Sequence, residues 1–193
     1  MRLAFLLVLV FAFFASHARA ADREMAGISF AQTTPVSMRA QPFVLSGLAR
    51  REKNFISYYA IALYVPYGAK ERDTLINALG PLKLRLVWIT PALGAKAVGE
   101  YWRQAFKQAV PEKDALARIG SRIDAFIKPF GEVKYGDVTE LEYDPDMGMK
   151  LIINGKHAGI FAGVEFNRAL LHIWLGTHDS ASAMRAGLLA GVP

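Results

Sequence analysis

Cysteine is absent from all 193 residues. Disulfides, thiolate metal sites and a cysteine nucleophile are therefore excluded, and the core must hold the fold unaided. Histidine is scarce too, and His157, His172 and His178 are too scattered to form a metal set by spacing. There is no G-x-S-x-G, no glycine-rich phosphate loop and no H-E-x-x-H, so hydrolase, nucleotide-binding and zinc-protease chemistry lose their usual sequence support. No cofactor or metal is expected. Asp144-x-Asp146-x-Gly148 opens like a calcium loop, but the closing glutamate would fall at position 155, which is Gly155; a hairpin turn is the expectation there.

Charge is present without being concentrated. Lysine and arginine number 23 against 17 acids, a net +6, but no basic block exceeds a few residues and no nucleic-acid motif accompanies it. Nucleic acid is not an expected partner.

The uninterrupted apolar run at residues 3–15 follows Met1 and Arg2 and precedes Ala18-Arg19-Ala20, the three-part pattern of a secretory signal peptide. It is shorter than the ~20 residues that span a bilayer. Cleavage after Ala20 leaves residues 21–193 as a single domain of 173 residues (193 less 20), without an integral membrane segment and located in the periplasm or outside the cell. The +6 of the full chain, less the charges of Arg2 and Arg19, becomes +4.

The mature chain reads as strands, helices, strands, helices. Residues 28–38 alternate and are broken by Pro35, as in an edge strand. Residues 43–48 and 55–65 read as strands joined by the polar run 50–54, and the second is apolar on both faces, as a strand inside a sheet requires. A short helix over 71–79 stops at Gly80-Pro81. Residues 82–90 alternate Leu82, Leu84, Leu86 and Trp88 with Lys83, Arg85, Val87 and Ile89, predicting one buried and one partly wet face. Val98, Tyr101, Trp102, Ala105, Phe106 and Ala109 define an amphipathic helix over 95–110, its aromatics expected in the core. Leu116, Ile119, Ile123, Phe126, Ile127 and Phe130 define another after Pro111. Short strands follow at 132–135 and 138–143, then 149–153 and 156–161 around the hairpin signal Asn154-Gly155. Two closing helices hold Phe166 to Trp174, stopped by Gly176, and residues 181–189. The class is α+β.

Residues 47–66, GLARREKNFISYYAIALYVP, pair cationic and phenolic groups with a buried strand. Adjacent arginines are usually solvated, and tyrosines at a strand's start usually sit at the edge of a core. Together they suit another purpose: a guanidinium forks onto a carboxylate while a phenol donates to the same group at the mouth of an apolar cavity.

This stretch, with residues 84–91, Tyr101-Trp102, Tyr135-Gly136-Asp137, Gly148, Asn154-Gly155 and the segment ALLHIWLG at 169–176, resembles the chalcone isomerase-like family, in its bacterial secreted branch. The resemblance runs through most of the mature chain. It implies an open-faced β-sandwich, a large antiparallel sheet covered by helices. Arg51 matches the arginine that positions substrate in the plant enzymes, with Arg50 a one-residue alternative. Their threonine position holds Tyr59, and their helix tyrosine and asparagine fall at Ala97 and near Gln104. The pair Arg51 and Tyr59 is similar instead to the arginine and tyrosine that hold the carboxylate in fatty-acid-binding plant relatives. The resemblance thus implies a non-catalytic binder of a fatty acid or similar apolar carboxylate, with Arg51, Tyr59 and Arg50 as candidate ligand-binding residues. The alternatives are an isomerase, or intramolecular lyase, acting on a chalcone-like enone through Arg51 and Tyr59, and a structural or partner-binding module.

Overall fold

A computed structural model describes residues 21–53 and 55–192; the expected signal peptide at 1–20 lies outside the described residues. Seven strands form one antiparallel sheet in strict sequence order: β3 (Thr33–Thr34), β4 (Phe43–Lys53), β5 (Ile56–Val65), β6 (Leu82–Trp88), β7 (Val138–Asp144), β8 (Gly148–Ile153) and β9 (Lys156–Phe161). A separate hairpin of β1 (Arg23–Met25) and β2 (Ile28–Phe30) precedes it. The expected edge strand is therefore confined to Thr33–Thr34, ahead of Pro35, which cannot donate to a ladder.

The helices are α1 (Arg72–Ile76), α2 (Ala95–Ala109), α3 (Lys113–Arg118), α4 (Gly120–Ile127), α5 (Val164–Leu175) and α6 (Asp179–Leu188). Tyr59, Ile61 and Leu63 of β5 and Leu82, Leu84, Leu86 and Trp88 of β6 pack against Val98, Trp102 and Phe106 of α2, Phe126 of α4, and Phe166, Leu170 and Trp174 of α5. The opposite face buries Leu48, Ala60, Ala62, Tyr64 and Val87 beneath Phe30, Val36 and Phe43. Both faces of β5 are dry, as its two-sided apolar pattern requires.

Four elements depart from the sequence expectation. The polar run 50–54 is not simply a hairpin connection: β4 continues through Lys53, which pairs with Ile56. The outer face of β6 is drier than predicted. Lys83 is buried because Glu142, its cross-strand partner on β7, and Glu140 reach its Nζ at 3.2 and 3.1 Å, while the Pro35 carbonyl closes over it at 3.1 Å. The stripe after Pro111 breaks into α3 and α4 at Ile119-Gly120, where glycine disfavours an uninterrupted helix. Residues 132–135 contribute one bridge, Val133 to Leu93, instead of a strand. The turn between β7 and β8 is as expected, with Asp144 accepting from the Asp146 amide at 2.9 Å and ion-paired to Arg39.

Candidate functional site

Cross-strand register decides which arginine can serve a site under the helices. Arg51 and Tyr59, eight residues apart, are direct Cα partners across β4 and β5, and side chains opposite one another in an antiparallel pair share a face. That face is the helix-covered one, since Tyr59 packs in the core beneath α2 and α5. Arg50 opposes Ala60 on the other face, is exposed, and pairs with Glu52 at 2.6 Å. Arg50 and Arg51 are thus separated by the sheet.

Arg51 is buried, with 6% of its surface exposed. Its Nη1 donates to the Ser180 carbonyl at 2.8 Å, at the start of α6. α6 reaches that position because two glycines let its backbone meet β4 directly: a Cβ on Gly47 would run into the Gly187 carbonyl oxygen, and one on Gly187 into that of Leu48. Ser46 Oγ adds a bond to the Leu188 carbonyl at 2.7 Å, and His178 Nε2 donates to the His172 carbonyl at 2.8 Å, holding the turn into α6. Arg51 Nε is buried without a partner, and no carboxylate among the described residues forms an ion pair with this guanidinium. Burial of a charge without a counter-ion is costly, and no carboxylate among the described residues offsets it.

Tyr59 is completely buried. The Trp174 indole N–H donates to its oxygen at 2.9 Å, and the Tyr101 hydroxyl lies 2.6 Å from it. Burial holds the Tyr59 phenol above the usual tyrosine pKa, against the lowering effects of its bond to Tyr101 and the charge of Arg51. Burial holds Tyr101 well above it too, with Tyr59 adding to the rise and Arg51 opposing it. Both remain neutral phenols, able to donate and unsuited to act as a general base near neutral pH.

The cleft beside Arg51 has a volume of about 330 Å³, and its walls include Lys53, Tyr58, Ala97, Tyr101 and Gln104. This is at the lower end of the range for small-molecule sites. On its core side the Tyr101 ring is met edge-on by Trp88 and Trp102, both fully buried. Tyr59 lies behind Tyr101 and does not line the cleft. Tyr58 does, stacked on Tyr101 with centroids 5.2 Å apart. Its inward position comes from a β-bulge: Arg51 opposes Tyr59 and Glu52 opposes Ser57, so Tyr58 is the extra residue and is re-aimed.

Tyr101 is a cleft residue that sequence reasoning placed in the core. Its signal was present: Ala97, Tyr101, Gln104 and Ala105 are spaced by three and four on α2, so they lie on one face, and the positions matched to the plant tyrosine and asparagine are both on it. The histidines do not assemble. His157 is exposed on β9, while His172 lies on α5 with burial lowering its pKa. Among the described residues, no group of three or more histidines and acids is placed to hold a metal ion.

The family described as chalcone isomerase-like matches residues 22–190. In three dimensions the chain is similar to the crystal structure of the Arabidopsis thaliana fatty-acid binding protein AtFAP1, with a TM-score of 0.69 at 19% identity over 85% of this chain and 92% of that one. No curated protein matches the sequence.

Proposed function

The chain belongs to the chalcone isomerase-like family, and within it we propose a non-catalytic binder of a fatty acid or similar apolar carboxylate that works in the periplasm or outside the cell. The observation that carries this is the Arg51 guanidinium, buried beside a cleft with its Nε unpartnered and no protein carboxylate paired to it among the described residues. A ligand carboxylate supplies the missing counter-charge through charge-assisted hydrogen bonds. Tyr101 donates to the same group in the arrangement where Tyr59, accepting from Trp174, turns its own O–H to the Tyr101 oxygen 2.6 Å away and leaves the Tyr101 O–H for the ligand. Tyr59 thus acts through Tyr101. The apolar tail lies along Leu93, Ala97 and Ala105. A similar fold serves a fatty-acid binding protein in AtFAP1, which supports the reading.

An isomerase would need a positioned proton acceptor in this cleft. The Tyr101 phenol in its wall is held neutral by burial, and Ala97 and Gln104 stand where the plant enzymes' tyrosine and asparagine align. The test is native mass spectrometry of purified protein. An acyl ligand retained by the wild type and lost from Arg51→Met is expected; the same ligand retained by Arg51→Met overturns the assignment of the site. Export follows from the N-terminal pattern, and the intact mass of the exported protein should correspond to a chain starting near Ala21.

A further inference from the structure

The β4–β5 hairpin projects beyond the rest of the sheet. Pairing of β5 with β6 begins at Tyr59 opposite Trp88, and β3 pairs with β4 only at Phe43 and Val44. Residues 52–57 therefore form a finger whose ladder consists of Glu52 with Ser57 and Lys53 with Ile56. At its tip Phe55 is 99% exposed, and Ile56 beside it is half exposed. The backbone of Phe55 has φ 64°, the left-handed region in which a bulky L-residue is an outlier. At the tip of a hairpin this is a position that glycine serves best. The fold gains no burial from the Phe55 ring and holds it in an unfavourable conformation. What rewards the ring lies outside the chain.

Its surroundings indicate what that is. Residues 50–56 carry Arg50, Arg51 and Lys53 against Glu52, a net +2 from three cations and one acid. Lys53 and Arg51 are also walls of the cleft, so the finger adjoins the site. The same end of the sheet exposes Tyr135, with Lys134 and Lys156 nearby and Glu132 and Asp137 as the local acids. Asp137 is engaged by the Asn154 amide and the Lys134 N–H, and Glu52 by Arg50. Two apolar side chains are too little surface for a stable protein partner, which needs about 1,200 Å² or more. An aromatic ring and an isoleucine among cations suit a bilayer interface, where the apolar groups enter the headgroup boundary and the cations meet anionic lipid.

We propose that the 52–57 finger docks on anionic lipid bilayers through Phe55 and Ile56, with Arg50 and Lys53 on the headgroups, so that the mouth of the Arg51 cleft faces the lipid from which ligand is taken or to which it is delivered. The purpose rests on the binder reading; the docking itself is measured without ligand. The experiment is co-sedimentation of mature protein with phosphatidylcholine vesicles and with mixed phosphatidylcholine–phosphatidylglycerol vesicles, at low and high salt. Phe55→Gly relieves the left-handed conformation, so a folding defect is not expected to obscure its effect. Wild type should bind the mixed vesicles preferentially and less at high salt. Phe55→Gly with Ile56→Thr should lose roughly tenfold to a hundredfold in vesicle affinity, the loss of a buried ring's transfer energy, while keeping its affinity for free fatty acid in solution. Vesicle binding unchanged in the double variant overturns the proposal, as does a concentration-dependent dimer abolished by Phe55→Gly in a protein that ignores vesicles. Vesicle binding that depends on Phe55 in a protein that binds no fatty acid upholds the docking and removes the binder reading instead.

Discussion

The Tyr101 hydroxyl lies 2.6 Å from that of Tyr59, so the cleft and the centre of the core are one hydrogen bond apart. Tyr59 belongs to β5 and Tyr101 to α2, and the Trp174 indole of α5 completes the series at 2.9 Å. Three elements are thereby fixed to one another immediately behind the Arg51 guanidinium. A carboxylate placed there meets a charge and a neutral donor whose positions are already set, which lowers the ordering cost of binding.

Replacing Arg51 with methionine should separate binding from stability. Affinity for a fluorescent fatty acid should fall by ~1.5 to 3 kcal/mol, or roughly one to two decades, as a charge-assisted contact is lost. Stability of the ligand-free protein in denaturant titration should change little, because relief of a charge without a counter-ion at 6% exposure offsets loss of the bond to the Ser180 carbonyl. Arg50→Ala, on the other face of the sheet, should leave affinity unchanged. A loss for Arg50→Ala with none for Arg51→Met would shift the site by one residue.

The two tyrosines should differ in kind. Tyr59→Phe strands the Trp174 N–H in the core and should lower stability by ~1 to 3 kcal/mol, the penalty of an unsatisfied buried donor, with less effect on affinity than loss of Arg51. Tyr101→Phe removes one neutral donor from the cleft and should weaken binding by ~0.5 to 1.5 kcal/mol. Paired thermal melts and ligand titrations test this, and equal profiles for the two variants would contradict the order Trp174, Tyr59, Tyr101, ligand.

Alkali should unfold the protein partly through these phenols. Both pKa values are raised in the folded state, mainly by burial, above the ordinary tyrosine value of about 10. Their contribution is complete below the unfolded pKa. It declines as pH rises past about 10, because the unfolded chain then releases protons that the folded chain retains. Denaturant titrations at increasing pH should show this decline, and it should be shallower in Tyr101→Phe. An identical pH slope in the variant would exclude Tyr101 as a contributor.

Chalcone cyclisation should not exceed the spontaneous rate. Ala97 and Gln104 line the cleft where tyrosine and asparagine align in the plant enzymes, and neither replaces a phenol. Absorbance assays of chalcone consumption provide the measurement; turnover abolished by Arg51→Met would establish the isomerase reading in place of the binder.

Local pattern alone determined the helix-rich and strand-rich segments, the Asn154-Gly155 hairpin and the two dry faces of β5, because these depend on periodicity and turn chemistry between near neighbours. The family likeness added the sheet covered by helices. The interior of the site was another matter. Whether Arg50 or Arg51 faced the helices depended on cross-strand register, which pairs residues on either side of a turn. The inward turn of Tyr58 came from a one-residue bulge that no spacing rule announces. Lys83 read as wet and proved buried because its counter-charges arrive from β7 and its cover from the segment around Pro35, up to 59 residues away in the chain. Tyr101 read as core because its apolar helix neighbours are core; only the packing of α2 over the end of the sheet leaves part of that ring in the cleft and joins its hydroxyl to Tyr59. Residue identity settles what a side chain can do within its own strand or helix, while the approach of distant elements decides whether it is paired, buried or left available to a ligand.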